Sequence, residues 1–109
     1  MKEILFYTKE NGKCPYVDWF NTLDTQTKIR ISRRLERLID GNYGETRKLS
    51  NSDLSELKFK FGAGYRIYFK DIDNVIILFL IGGDKSSQQN DIKLANKYYK
   101  DYSERLQNG

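Results

Sequence analysis

The chain has 109 residues, 19 Lys and Arg against 15 Asp and Glu, and a formal net charge of +4, a length that fits one domain spanning 1–109. It holds no histidine and a single cysteine, Cys14, which excludes Ser-His-Asp triads, imidazole acid/base chemistry, an internal disulfide and the His- or Cys-based zinc patterns. The longest wholly apolar run, Val75–Ile81, is far short of the roughly 20 residues that span a bilayer. With a lone cysteine and Met1-Lys2-Glu3 opening straight into a strand-like segment, a cytoplasmic protein without membrane association is expected.

In chain order, Glu3–Thr8 is short and apolar and reads as a strand, closed by turn chemistry at Asn11-Gly12. Pro15 suits a first helical position, and Tyr16, Phe20 and Leu23 then share one helical face with Trp19 beside them. Asp24 begins a second helix, with Thr25 and Thr27 as alternative caps, an apolar stripe at Ile31, Leu35, Leu38 and Ile39, and Gly41 as its stop. Asn42–Asp53 is polar and reads as a loop. Leu54–Phe61 and Tyr65–Lys70 alternate, Val75–Ile81 is apolar on both faces, and turns at Gly62-Ala63-Gly64 and Asp71–Asn74 join them into an antiparallel meander. Val75–Ile81 belongs inside the sheet, with the N-terminal strand on its free edge. Gly82-Gly83 reads as the break of that strand. Ser86 or Ser87, the former as a capping box with Gln89, starts a last helix striped by Ile92, Ala95, Tyr99, Tyr102 and Leu106. The class is α+β in the order β-α-α-β-β-β-α, a small, mainly antiparallel sheet with a helical hairpin on one face.

Alternation also sorts charge. Leu57, Phe59 and Phe61, with Tyr65, Ile67 and Phe69, point toward the hairpin, so Glu56, Lys58, Lys60, Arg66 and Tyr68 gather on the opposite face. Cations with an aromatic on a flat sheet form a platform for phosphate and base. The same face also fits a solvated surface carrying Lys for solubility and edge protection. Arg30, Arg34 and Arg37 make a second basic stripe, on the second helix, which fits anion contact or an ordinary exposed helix face. Gly82–Ser87 joins a strand end to a helix start, where free N–H groups favour an anion, although it is not a P-loop.

Ser55-Glu56-Leu57-Lys58, Gly62-Ala63-Gly64-Tyr65-Arg66-Ile67-Tyr68-Phe69, Gly82-Gly83-Asp84-Lys85-Ser86-Ser87-Gln88 and Asp91-Ile92 together resemble the RelE/ParE superfamily of toxin–antitoxin toxins. They resemble in particular the addiction-module killer proteins of its HigB-like, phage-derived branch. The resemblance runs along nearly the whole chain. It implies a RelE-like fold and a toxin held inactive by an antitoxin, a small helix-turn-helix protein. RelE-like members cut messenger RNA in the ribosomal A site, and their basic strand residues correspond to Lys58, Lys60 and Arg66. ParE-like members inhibit DNA gyrase instead. The RelE-type tyrosine on the last helix falls here at Ile92, which carries no proton to exchange, and a basic family position falls at Ser86.

Metal-free RNA cleavage needs a base for the 2′-OH, cations for the charge that develops on phosphorus and an acid for the 5′-oxygen. Without histidine, a Lys or a Tyr must move the protons. The expected roles are phosphate binding by Arg66 and Lys85, proton transfer by Lys58 or Lys60, and stacking or orientation of the base by Tyr68. Arg30, Arg34, Arg37, Ser86 and Ser87 are expected RNA contacts, and no cofactor or metal is expected. The expected partners are the antitoxin and ribosome-bound messenger RNA. The alternatives are a gyrase-directed toxin and a non-catalytic RNA- or ribosome-binding module. Arg66 also has two possible roles: a free anion receptor whose removal spares the fold, or a cross-strand partner of Glu56.

Overall fold

In a computed structural model, which describes residues 1–108, β1 (Glu3–Phe6) is followed by the hairpin of α1 (Pro15–Phe20) and α2 (Thr25–Ile39). Then come β2 (Thr46–Lys48), β3 (Ser55–Lys58), β4 (Arg66–Ile72) and β5 (Ile76–Gly83), a 3-10 turn at Lys85–Ser87, and α3 (Gln88–Asn108). The strands form one five-stranded sheet in the order β1-β5-β4-β3-β2. β1 runs parallel to β5 and the remaining pairs are antiparallel, so the class is α+β with a mixed sheet. As expected, β5 has a neighbour on each side and the N-terminal strand lies on its outer edge.

Local chemistry explains the element ends. Pro15 occupies the start of α1, where its missing N–H costs nothing. The Asp24 carboxylate accepts from the Thr27 N–H at 2.7 Å, so Asp24 caps α2 and neither threonine does. Gly41 N–H donates to Leu38 O at 2.8 Å and Asn42 N–H to Arg37 O at 2.9 Å, a pair of bonds that closes the helix. Asp73 and Asn74, both at positive φ, make the tight β4–β5 turn.

Both sheet faces are covered. On one, Tyr16, Ile31 and Leu38 of the hairpin pack on Leu57, Phe59, Ile67, Phe69, Ile77 and Phe79. On the other, Ala95 of α3 packs with Tyr7, Leu54, Tyr68, Leu78 and Leu80. The alternation within β3–β5 is the one read from sequence, but its second face is not an open platform. The amphipathic stripe of α3 needs an apolar partner, and β4 and β5 supply it. Glu56 and Tyr68 therefore have no exposed surface, and Arg66 is 8% exposed.

Other expectations are corrected. Asn42–Asp53 contains β2, a fully exposed strand paired to β3 through Thr46, Arg47 and Lys48; three exposed polar residues leave no periodic trace. Gly82 and Gly83 do not break β5 but belong to it. They are small because neighbours lie against the strand: a Cβ on Gly82 would stand 2.7 Å from Trp19 Cδ2, and one on Gly83 would stand 2.8 Å from Asp91 Cγ. Leu23 lies beyond the end of α1 but still packs on the same core as Tyr16 and Phe20, whereas Leu106 is 65% exposed and does not complete its stripe as expected. The cap before α3 is Asp84, whose carboxylate accepts from the Ser86 N–H at 2.8 Å in a box with Ser87, so Ser86 and Gln89 form none. No helix among the described residues is long and apolar enough to cross a membrane.

Candidate anion-binding cleft

Two chain connections meet beside the end of β3. The β3–β4 turn brings Lys60 and Gly62–Gly64, and the β5–α3 connection brings Lys85, whose N–H donates to Ala63 O at 3.3 Å. Gly64 sits at φ +74°, a conformation glycine adopts without a steric penalty, and it lets the Arg66 guanidinium and the Lys85 stem approach its backbone closely. Lys58 and Arg66 stand directly opposite each other in the β3–β4 register. The result is an open cleft of about 410 Å3 lined by Lys58, Lys60, Arg66 and Lys85, with Glu45 as its acidic member. The formal charge of these side chains is +3, and a concave site of one sign concentrates anions.

The cations are held differently. Lys60 is exposed and pairs with Glu45 at 3.1 Å; this contact holds the Glu45 carboxyl below the usual carboxylate range. Arg66 Nη1 donates to Gly64 O at 2.9 Å, and its Nε lies 3.6 Å from Glu56 Oε2. Of the two roles open to Arg66, the cross-strand pairing with Glu56 is present, and the side chain still reaches the cleft wall.

Tyr68 does not. It lies beneath α3, and burial, with the neighbouring Glu56 carboxylate, pushes its phenol well above the ordinary tyrosine range. A side chain with no exposed surface cannot stack on a nucleobase, so the expected Tyr68 role is withdrawn. Arg34 is also reassigned. Its guanidinium donates to the backbone carbonyls of Lys58, of Glu45 at 2.6 Å and of Tyr43 at 3.2 Å, so it ties the rim of the cleft together and has few donors left for RNA. Burial lowers its pKa. Arg30 is exposed but lies over the Phe61 ring at 3.8 Å, and Arg37 stays exposed on α2; neither lines the cleft. The Ser86 and Ser87 hydroxyls donate to Asp84 and Asp91, each at 2.5 Å, so both are engaged in the start of α3.

One residue of the cleft was missed. Glu45 precedes β2 in a stretch without apolar rhythm and carries no sequence signal. Glu56 reads from the sequence as a partner open to Arg66, through its alternation in step with Lys58 and Lys60, but its burial depends on where α3 lands. Among the described residues no group of three or more Cys, Asp or Glu side chains is placed to hold a metal ion.

No protein-family model matches the chain. An uncharacterized protein of Haemophilus influenzae is 40% identical to it over 78 residues, which cover 71% of this chain and 78% of that one. At that identity and coverage, the chain belongs to the same family as the Haemophilus influenzae protein.

Proposed function

We propose that this protein is the toxin of a type II toxin–antitoxin module, with a RelE-like fold, and that it cuts messenger RNA on the ribosome. What carries the reading is the convergence of Lys58, Lys60, Arg66 and Lys85 on one open cleft, together with the motif resemblance from Ser55 to Ile92. In this mechanism Arg66 and Lys85 hold the scissile phosphate and offset the charge that grows on its oxygens. The ionised Glu45 carboxylate accepts the proton of the attacking 2′-OH, and the Lys60 or Lys58 ammonium returns one to the departing 5′-oxygen. The products are a 2′,3′-cyclic phosphate and a free 5′-hydroxyl. This acid/base set is sparse, and the ribosome supplies the rest by holding the message in a reactive geometry. The antitoxin, a small helix-turn-helix protein, neutralises the toxin by covering or distorting the cleft.

One observation favours a second reading, a gyrase-directed or purely binding toxin: with Tyr68 buried and Ile92 in the place of the family tyrosine, no tyrosine lines the cleft. Inducing the protein in cells and mapping messenger 5′ ends, with a gyrase supercoiling assay in parallel, separates the two. New 5′ ends inside translated codons with normal supercoiling are expected. Growth arrest with intact messages and inhibited gyrase would overturn the nuclease reading.

A further inference from the structure

Glu56 is a fully buried carboxylate that the cleft chemistry above does not use. It lies between two guanidiniums, in ion-pair contact with each but without a hydrogen bond to either: neither Oε1 nor Arg66 Nε has a hydrogen-bond partner. Oε2 lies 3.6 Å from Arg66 Nε and accepts from Gln88 Nε2 of α3 at 2.8 Å, while Oε1 lies 3.4 Å from Arg47 Nη2. The two arginines differ: the Arg66 side chain is 10% exposed and that of Arg47 is 55% exposed. A buried carboxylate opposes folding through its desolvation, and a well-packed apolar residue serves a core at least as well. What a carboxylate does here that an apolar side chain cannot is orient guanidinium groups. The trio carries a net single positive charge, so it remains a receptor for an anion.

The register sets where the second arginine lies. Arg47 stands opposite Glu56 and Lys58 opposite Arg66, which makes Arg47 the diagonal neighbour of Lys58, about 7–8 Å away across the β2–β3 pair. Arg47 thus adjoins the cleft without lining it. We propose that Glu56 is a positioning residue that presents Arg66 inside the cleft and Arg47 beside it to successive phosphates of an extended RNA strand. The inference rests on the RNA reading of the cleft. Guanidiniums kept near one place by an ion pair lose less freedom on binding than unpaired ones, which is where the carboxylate contributes.

The test uses the full chain and a short single-stranded 2′-deoxy oligonucleotide, which keeps the phosphates and lacks the attacking hydroxyl. The arginine Nε–Hε NMR signals and the affinity are followed for wild type, Glu56→Gln and Arg47→Ala, and message cleavage is measured separately in a translating extract. In wild type both arginine signals should shift on binding. Glu56→Gln, folded by its backbone amide spectrum, should bind roughly tenfold more weakly, its Arg66 signal should move toward that of free arginine, and kcat should fall more than KM rises. Arg47→Ala should raise KM, leave kcat nearly unchanged and reduce the salt slope of binding by about 1. A folded Glu56→Gln protein with wild-type affinity and an undisturbed Arg66 signal overturns the proposal. Should that variant not fold, Arg47→Ala decides, because its side chain is exposed and wild-type affinity there overturns the proposal as well. Glu56-dependent oligonucleotide binding by a wild type that cuts no message supports this inference and removes the nuclease reading. Cleavage that neither substitution alters does the reverse.

Discussion

Arg66→Ala tests fold and site in one side chain. The truncation removes the Nη1 bond to Gly64 O, 2.9 Å long, and the ion pair with Glu56 at 3.6 Å. A bond from a charged donor is worth about 1–2 kcal/mol, and a buried carboxylate stripped of one cation adds about 1 more, because Arg47 and Gln88 still engage it. The total is about 2–3 kcal/mol, which for a domain near this size lowers Tm by roughly 10–15 °C. If Arg66 also contacts the transition state, the rate falls on the order of 10²–10³ beyond any loss of folded protein. The two effects separate when thermal melts are combined with a growth assay at a temperature where the variant remains folded. A double-mutant cycle with Glu56→Gln should show coupling of about 1 kcal/mol; strict additivity would refute the pairing. A folded Arg66→Ala protein that stays fully toxic would refute the catalytic role, and the gyrase-directed reading would move ahead. The open-platform view of this face predicts no loss of stability, so a Tm at the wild-type value would contradict the buried placement itself.

Gly82→Ala should cost about 1–3 kcal/mol by overpacking, since its Cβ must displace the Trp19 ring; the emission of this sole tryptophan should shift to the red, and unchanged emission would contradict the close contact. Tyr68→Phe removes a buried hydroxyl that has no hydrogen-bond partner, so stability should change by less than about 1 kcal/mol and toxicity should not change; lost toxicity at an unchanged Tm would return the phenol to the chemistry. Burial and the hydrogen bond to Asp101 raise the Tyr7 phenol from 10.0 to about 12. The folded state therefore favours the neutral phenol, and its contribution is full below pH 10.0 and lost as pH rises through about 12. Urea midpoints taken across that range should fall less steeply for Tyr7→Phe than for wild type, and parallel declines would contradict the shift.

The hairpin stripe at Ile31 and Leu38, the alternation of Leu57, Ile67 and Phe69, the doubly apolar β5 and the turn at Gly62–Gly64 were legible in the residues alone, and so was a turn within Asp71–Asn74, although β4 runs on through Ile72 and leaves only Asp73 and Asn74 to make it. Periodic burial and turn chemistry are properties of a few neighbouring positions. The alternation also assigned Lys58 and Arg66 to one face correctly, and cross-strand register then placed them opposite each other. What lay on that face was not legible. Alternation says which side chains share a side of a strand, not whether that side meets water or a helix, and α3 folds back over β4 and β5 to bury Tyr68, Glu56 and most of Arg66. The same return brings Asp91 against Gly83, while α1 lays Trp19 over Gly82, so two glycines that read as a strand break are a strand kept narrow for its neighbours. Glu45 and Arg47 enter through β2, whose three exposed residues have no periodicity and exist as a strand because β3 offers them a hydrogen-bonding edge. The candidate cleft is assembled by contacts between distant segments, and such contacts leave no local pattern to read.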